Sequence, residues 1–385
     1  MNQSVVLSSK KCGIKKWFPL KYKQTKEYNS SLPQPQIIVP EGCVWGEDEK
    51  LYTWNESILI NNFQIIRNYK PFVISDCVVC MYLPSTCQNY VAFNKTTLFI
   101  PGHRFFLKKC SRDAYDMLFR VMFTNFPNVV IAASGIYEYE HIRYFTGKSV
   151  PVIHSSSLFG FEQPQSYMPT RTEYLVAPFK KPDVPFEKEL IQYCKQYNHS
   201  NCQFTTMLKE NKRGWDFKLL FQFKAVIVFP YATLSYFLND LYTACIPMFV
   251  PSPSFLVKLK IMTRVQAKEF CKPGSSIRFD FKTNYTNHPY SPEEDSEEAK
   301  TYWFYYSTFY SPATTVFNSW EDLFSKLEKA DYQTLFLRRK EENERIIKHN
   351  INEWEKVFGM IEKDRRIPKT YEEAREYFNV DRFIL

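Results

Sequence analysis

Short, wholly apolar segments alternate along the chain with longer segments whose apolar residues recur every three or four positions. The clearest case starts with Ala225 to Phe229, an apolar run rich in β-branched residues, which is typical of a parallel strand covered on both faces. Residues 233–245 then carry their apolar side chains on one helical face, and Met248 to Val250 is a second apolar run, closed by prolines. This pattern predicts a strand–helix–strand unit with a right-handed crossover.

The same alternation continues on both sides of this unit. Further strands are predicted at residues 72–82, 96–100, 128–133, 150–153, 174–177 and 202–207. Helices are predicted at residues 57–68, 85–91, 113–123, 136–145, 187–197, 216–223, 255–262, 320–329 and 334–362. Ser319 is predicted to cap the helix at 320–329, with Asp322 at its third position. Residues 272–310 show no period, and the acidic run at 293–298 indicates a solvated loop.

The alternation pauses between residues 155 and 171, in a polar and aromatic stretch that contains three turn-forming residues, Gly160, Pro164 and Pro169. We interpret this stretch as a linker between two α/β halves. The predicted units are a basic, proline-rich extension at residues 1–43, an α/β domain at 44–160, a second α/β domain at 161–335 and a helical segment at 336–385 that packs back on the rest.

Length and charge limit the classes of partner. The 385 residues suffice for two α/β domains with sizeable cores, and 44% hydrophobic residues indicate a globular chain. The net charge of +9 suits an anionic ligand such as a nucleoside diphosphate. The basic residues are mostly dispersed and no nucleic-acid motif is present, so we expect no nucleic-acid partner. The lysine-rich residues 1–28 suit peripheral contact with an acidic membrane, the alternative being a solvated terminus.

The cysteines and the lengths of the apolar runs indicate the cellular compartment. The ten cysteines are scattered, and the pair Cys77 and Cys80 lies in an apolar run without a second pair spaced for zinc, which predicts buried thiols. The chain has no run of 18 apolar residues, and residues 1–28 lack the apolar core of a signal peptide. We therefore expect a cytoplasmic protein, the alternative being the Golgi or ER lumen if an anchor is missing.

The helix predicted at residues 233–245 carries a carboxylate, Asp240, whose spacing from the next proline suggests a function. Asp240 lies seven residues before Pro247. This interval resembles the donor-site signature of GT-B-fold glycosyltransferases, in which a helical Glu is followed by a small residue, an apolar residue, Pro and an apolar strand. Here Asp replaces Glu, and Cys245 stands where Gly is usual. Residues 240–252 are also similar to a little-characterised transferase group with the segment Glu-x-Tyr-x-x-x-Ile-Pro-x-Phe-x-Pro-Ser.

The resemblance, which covers roughly residues 71–363, implies two Rossmann-like α/β domains that face each other across a cleft, with a closing C-terminal helix. The N-terminal domain would bind a glycan or glycoconjugate acceptor, and the C-terminal domain would bind a nucleotide sugar. The implied reaction transfers the sugar to an acceptor hydroxyl. The carboxylate of Asp240 would accept hydrogen bonds from the ribose hydroxyls, since a carboxylate accepts two donors at once.

A metal and a cofactor are not expected, because no Asp-x-Asp motif occurs and the nucleotide sugar is a substrate. Cations, hydroxyls and helix N-termini would then have to stabilise the leaving diphosphate. Five candidates for this donor-binding role are Arg104, Arg171, Lys180, Thr233 and Ser235. Arg104 suits an acidic acceptor equally well. The alternative for the cations is an ordinary surface position, and for Thr233 it is simple helix capping.

An inverting transferase also needs a general base near the acceptor hydroxyl. His103, Glu138 and His154 lie at predicted strand ends or in the following loops, where α/β sheets bind ligands. His154 leads, because it follows a predicted buried strand just before the linker. The alternative for each is a structural role, and a retaining mechanism stays open. The alternative function is a non-catalytic carbohydrate- or protein-binding module built on the same shell.

Overall fold

The computed structural model describes residues 5–8, 37–38, 77–81, 94–100, 128–155, 166–177, 186–197, 199, 203–206, 217–230, 236–259, 286–292, 294, 296–361, 369–370 and 372–373. Its strands are β1 (Val5–Ser8), β2 (Ile37–Ile38), β3 (Cys77–Met81), β4 (Thr96–Ile100), β5 (Val129–Ile131), β6 (Tyr174–Ala177), β7 (Phe204–Thr206), β8 (Ala225–Val228), β9 (Met248–Pro251) and β10 (Thr315–Phe317). Its helices are α1 (Ile136–Thr146), α2 (Phe186–Gln196), α3 (Phe217–Leu220), α4 (Tyr236–Thr243), α5 (Pro253–Lys258), α6 (Glu297–Phe304), α7 (Trp320–Lys329) and α8 (Tyr332–Gly359).

The described strands form two five-stranded parallel sheets. The first has the order β2-β1-β3-β4-β5, and the second has the order β10-β9-β8-β6-β7. Numbered along the chain within its own sheet, each therefore has the order 2-1-3-4-5, one of the two common orders of doubly wound α/β folds. Because every pairing is parallel, all carboxyl ends of a sheet lie at one edge. Both sheets are Rossmann-like α/β units, as the sequence predicted.

The centre of the second sheet is buried on both faces because β6, β8 and β9 are apolar at every position. Alternate side chains of a strand point to opposite faces. One face carries Tyr174, Val176, Ala225 and Ile227, which pack with side chains of α2 and α7. The other face carries Leu175, Ala177, Val226 and Val228, which pack with side chains of α3 and α4. This two-sided burial is what the continuous apolar runs predicted.

Several local predictions are confirmed in detail. The strand at 174–177 has the predicted bounds, and the helix at 320–329 begins after Ser319, whose hydroxyl accepts a hydrogen bond from the backbone N–H of Asp322. The strand predicted at 150–153 is reduced to one parallel bridge between Ala133 and Val152. The helices predicted at 57–68, 85–91 and 113–123 lie outside the described residues.

Two predictions differ from the structure. The predicted extension at residues 1–43 contains β1 and β2, and β1 pairs in parallel with β3 from Val5 opposite Cys77 to Ser8 opposite Cys80. The first sheet therefore draws on chain that precedes the predicted boundary at residue 44. The lysine-rich composition around these short apolar runs concealed them from the pattern.

The acidic run predicted as a loop instead leads into helix α6. The hydroxyl of Ser296 accepts from the backbone N–H of Ala299, and Glu297 and Glu298 occupy the first turn. Carboxylates there are stabilised by the positive end of the helix dipole. The helix is anchored by Trp303 and Phe304, which are buried. The missing apolar period is explained by the short length of this helix, whose buried face includes a lysine beside Ala299, Trp303 and Phe304.

Helix α8, 28 residues long, contacts the cores of both sheets. Near its start, Tyr332 belongs to the core cluster of the second sheet. Near its end, Val357 packs with Leu98 and Val130 of the first sheet. No helix in the described part of the chain is long and apolar enough to cross a membrane.

Candidate functional site

A short turn after helix α6 contacts the carboxyl end of a strand in each sheet. Thr308 lies against Gly135, just beyond β5, where a Cβ atom would come within 3.1 Å of Cγ2 of Thr308. The hydroxyl of Tyr310 donates to the backbone oxygen of Pro251, the last residue of β9, at 2.7 Å. Ligands of α/β sheets bind beyond the carboxyl ends of the strands. Residues 308–310 therefore mark the candidate site.

Asp240 lies on helix α4, beside this turn. Its side chain is half-buried, and its backbone oxygen accepts from the N–H of Ala244 at 2.9 Å. Two residues further on, the hydroxyl of Tyr242 donates to the backbone oxygen of Thr308. The helix that carries the predicted donor-site carboxylate is thus attached directly to the turn at the strand ends.

The end of helix α4 has the backbone geometry that the resemblance attributes to glycine. Cys245 has a φ of 57°, in the left-handed region, and its N–H donates to the backbone oxygen of Tyr242 at 3.0 Å. This conformation costs a non-glycine residue about 1–2 kcal/mol. The side chain is buried, which raises the pKa of its thiol to about 11, so the thiol is neutral.

Helix α8 fixes α4 through two buried polar side chains. The guanidinium of Arg339 stacks 4.2 Å from the ring centroid of Tyr242 and donates to the hydroxyls of Ser311 and Thr314 at 2.7 Å each. The side-chain amide of Asn343 donates to the backbone oxygen of Tyr242 and lies 3.2 Å from Sγ of Cys245.

Burial affects both charged and polar members of this cluster. Arg339 is 1% exposed, and desolvation lowers the pKa of its guanidinium and raises that of the Tyr242 hydroxyl. The contacts of Arg339 with a ring and two hydroxyls offset part of the lost hydration, while its buried Nε has no hydrogen-bond partner among the described residues. Sequence reasoning missed both Arg339 and Asn343, since nothing local distinguishes them from the other polar residues of a charged helix.

Glu138, a predicted base, lies in the first turn of α1 and is 1% exposed. Its Oε2 would lie 3.1 Å from a Cβ atom built on Gly135, the residue that Thr308 also contacts. The structure therefore brings Glu138 to the turn at residues 308–310, in a fully buried position.

His154, the leading predicted base, lies against helix α8. Its backbone N–H donates to Oδ1 of Asn350 at 2.8 Å, and its backbone oxygen accepts from Nδ2 of the same residue at 2.7 Å. Its ring centroid lies 5.3 Å from that of His349. Burial, and then the proximity of His349 and Arg345, lower the pKa of His154 to about 4. The ring is neutral near pH 7, and burial is the main obstacle to its gain of a proton, which Glu342 and Glu353 favour only weakly by comparison.

Arg171, a predicted phosphate partner, lies before the amino end of β6. Its Nε donates to Oε2 of Glu173 at 2.6 Å, and its guanidinium lies 4.5 Å from the ring centroid of Phe223. Its backbone N–H donates to the oxygen of Gln222, before the amino end of β8. Arg171 thus sits at the sheet edge opposite the carboxyl ends, and this placement does not favour a role at the same site as Asp240.

Five predicted site residues lie outside the described residues: His103, Arg104, Lys180, Thr233 and Ser235. Their roles stay predictions. Among the residues that the structure does describe, no group of three or more histidine, cysteine or acidic side chains could hold a metal ion.

Sequence reasoning also missed a polar chain between α1 and α6. His288 contacts Glu140 through Nε2, at 3.1 Å, and Tyr302 through Nδ1, at 2.5 Å. Glu140 lies within the helix predicted at 136–145, and His288 and Tyr302 lie in the stretch predicted to be irregular. No local signal could have found this cluster, because it forms only when two helices distant in sequence pack together.

Comparison with known proteins adds no relative: no family model matches the chain, and no curated protein matches it.

Proposed function

We propose that this chain is a GT-B-like glycosyltransferase, whose two Rossmann-like domains hold their substrates between the carboxyl edges of their sheets. It would move a sugar from a nucleotide sugar to a hydroxyl of a glycan or glycoconjugate, without a metal. One observation carries the proposal: the turn at residues 308–310 contacts the carboxyl ends of β5 and β9 and is bonded to the helix that bears Asp240. The interval from Asp240 to Pro247 supports the same assignment.

In this proposal Asp240 binds the donor. Its carboxylate accepts hydrogen bonds from the two ribose hydroxyls. The acceptor oxygen then attacks the anomeric carbon, and the bond from that carbon to the diphosphate oxygen breaks, with its electron pair leaving on the diphosphate. The rigid attachment of α4 through Tyr242 and Asn343 supports this role, because a donor-binding carboxylate needs a fixed position.

A thermal-shift panel tests the donor site. The full chain is heated in EDTA with UDP, GDP, ADP or dTDP and with the corresponding nucleotide sugars. A ligand at 100 times its dissociation constant stabilises the folded state by about 2.7 kcal/mol, which raises Tm by several degrees. We expect one nucleotide to do so, Asp240→Ala to abolish the shift, and Asp240→Asn to weaken it.

Glu355→Ala is the matched control, because Glu355 is an exposed carboxylate on α8, a helix on which the proposal places no donor contact. This variant should keep the whole nucleotide shift. A shift that survives in Asp240→Ala would contradict the proposed donor site. If no nucleotide shifts Tm at all, the chain is better explained as a non-catalytic carbohydrate- or protein-binding module with the same shell.

A further inference from the structure

Four polar side chains form a continuous chain where helix α1 contacts helix α6. Oε2 of Glu140 lies 3.1 Å from Nε2 of His288. Nδ1 of His288 lies 2.5 Å from the hydroxyl of Tyr302, which lies 3.1 Å from the hydroxyl of Tyr306. All three distances are in the range of hydrogen bonds. A carboxylate, an imidazole and two phenols are thus joined in one line.

The chemistry of the carboxylate sets the direction of every bond in this line. Nη1 of Arg143 donates to Oε2 of Glu140 at 3.1 Å, so this carboxylate oxygen acts as an acceptor. Nε2 of a neutral His288 therefore donates, and Nδ1 accepts from the Tyr302 hydroxyl. The oxygen of Tyr302 in turn accepts from the Tyr306 hydroxyl.

A second protonation state reverses this order. If His288 takes up a proton on Nδ1, that nitrogen donates to Tyr302, Tyr302 donates to Tyr306, and the Tyr306 hydroxyl donates outwards. A proton that enters at Tyr306 is therefore delivered to His288 without any side chain moving through space. In both states Nε2 of His288 donates to the facing carboxylate, as in other acid–histidine pairs.

The inner part of the line is shielded from water. The side chains of His288 and Glu140 are 10% and 14% exposed. The ring centroids of Trp303 and His288 lie 4.7 Å apart, and the Trp303 ring also packs edge-on against the ring of Tyr144. Burial raises the pKa of Tyr302, which keeps this phenol neutral and able to donate. Tyr306 is half-buried, so the outer end of the line is accessible.

The outer end lies close along the chain to the candidate site. Tyr306 precedes Thr308 by two residues, and Thr308 contacts Gly135 and accepts from Tyr242 of the Asp240 helix. The line thus starts where α1 contacts α6 and ends two residues before the turn at residues 308–310.

We propose that Glu140, His288, Tyr302 and Tyr306 form a proton relay that accepts the proton of the acceptor hydroxyl during glycosyl transfer. This proposal rests on the proposed function. The acceptor proton passes to the Tyr306 oxygen, the Tyr306 proton passes to Tyr302, and the Tyr302 proton passes to Nδ1 of His288. The acceptor oxygen forms its bond to the anomeric carbon, and the diphosphate leaves with the electron pair.

This relay differs from the predicted base His154 in the partners of its ring. Around His154, burial, His349 and Arg345 oppose an added proton, while Glu342 and Glu353 favour one. Both ring nitrogens of His288 instead have a direct partner, because Nε2 contacts Glu140 at 3.1 Å and Nδ1 contacts the Tyr302 hydroxyl at 2.5 Å. A base that passes a proton along a chain needs such hydrogen-bond contacts.

A product-release assay tests the relay. It uses the nucleotide sugar that gives the Asp240-dependent thermal shift, with water as acceptor, and measures the nucleoside diphosphate that is released. Tyr306→Phe removes the terminal hydroxyl only, and we expect kcat to fall about 100-fold, with KM for the nucleotide sugar unchanged within about twofold. Tyr302→Phe should have the same effect. Tyr305→Phe is the matched control, because Tyr305 is the adjacent tyrosine and is 57% exposed; its kcat should stay within about twofold of wild type.

The pH profile separates proton transfer from a structural role. His288→Gln should remove the acidic limb of kcat, whereas a merely structural change would lower kcat at every pH. Among the described residues, the titratable groups that contact His288 include Glu140 and Tyr144 from α1, and Tyr302 and Tyr306 from α6 and the residues after it. Arg143 contacts the same oxygen of Glu140 as His288 does. Long-range ¹⁵N spectra of the histidine-labelled protein, assigned with His288→Gln, should show His288 protonated on Nε2 and changed by Tyr302→Phe.

The outcomes are distinguishable. If no nucleotide sugar is turned over, both the proposed function and the relay are overturned. If turnover is present and Tyr306→Phe behaves like Tyr305→Phe, only the relay is overturned. A His288 ring protonated on Nδ1 alone also overturns the relay, because the Tyr302 proton would then have no acceptor.

Discussion

The two ends of helix α8 are attached to the molecule by different chemistry. Its amino-terminal half inserts the buried guanidinium of Arg339 among the side chains of Tyr242, Ser311 and Thr314. Its carboxyl-terminal half bonds to backbone groups instead: Asn350 binds both the N–H and the oxygen of His154. The first attachment depends on specific side chains at both ends of each contact. The second depends on the backbone groups of His154, which any residue has, but the ring of His154 can also take up a proton.

This difference teaches how one helix can serve both sheets. The amino-terminal attachment is uniform over the ordinary pH range, because a guanidinium stays charged. The carboxyl-terminal attachment is expected to weaken in acid. Protonation of His154 would place a positive charge in a buried position beside His349 and Arg345 of α8. The contrast predicts that the two halves respond differently to mutation and to pH.

Removal of Arg339 should have the largest effect. Arg339→Ala loses two hydrogen bonds from a charged donor and a cation–π contact, and the regained hydration of the charge offsets part of this loss. We expect the free energy of unfolding to fall by about 3–5 kcal/mol, as measured by urea denaturation. Arg339→Met, which keeps the volume, should be milder. Arg338→Ala, at the exposed neighbouring position, is the control and should cost less than about 1 kcal/mol. An equal cost for the two alanine variants would refute the special role of the buried guanidinium.

Acid should act on the other attachment. The pKa of His154 is about 4 when folded, below its value of about 6.5 in an unfolded chain, so the unfolded state binds more protons between these values. Stability is therefore complete above pH 6.5 and is lost as the pH falls towards 4, by on the order of 3 kcal/mol.

His154→Gln removes this contribution. The variant keeps the hydrogen bond from Arg345 that is the main cause of the lowered pKa of Glu342, and the lowered pKa of Glu353 does not depend on His154. The variant should lose less stability than wild type between pH 6.5 and 4 in urea titrations. Parallel stability curves for the two proteins would show that His154 does not make the attachment pH-sensitive.

The smallest effect is expected at Cys245, which Asn343 of α8 contacts. Its left-handed backbone favours glycine, so Cys245→Gly should be more stable than Cys245→Ala by about 1 kcal/mol, although both lose the buried sulfur. Urea midpoints of the two variants give the difference. If the alanine variant is as stable as the glycine variant, the backbone at this position relaxes and is not fixed by α8.

The sequence by itself determined the α/β class, most of the described strands and the position of Asp240. A strand buried on both faces needs an uninterrupted apolar run, and this requirement is met within four or five residues, as at Ala225 to Val228. Helix caps are equally local: Ser319 serves the N–H of a residue three positions away. The sequence pattern did not predict helix α6 and strand β1, because their apolar runs are short and are surrounded by charged residues.

Only the tertiary structure decided which polar residues act together. Arg339 meets Ser311 across 28 positions, and His288 meets Glu140 across 148. No periodicity connects residues so far apart, because their contact depends on how helices pack and not on any local preference. Short-range burial and capping therefore determined the strands and helices, while the packing of α1, α4, α6 and α8 decided which side chains surround the candidate site.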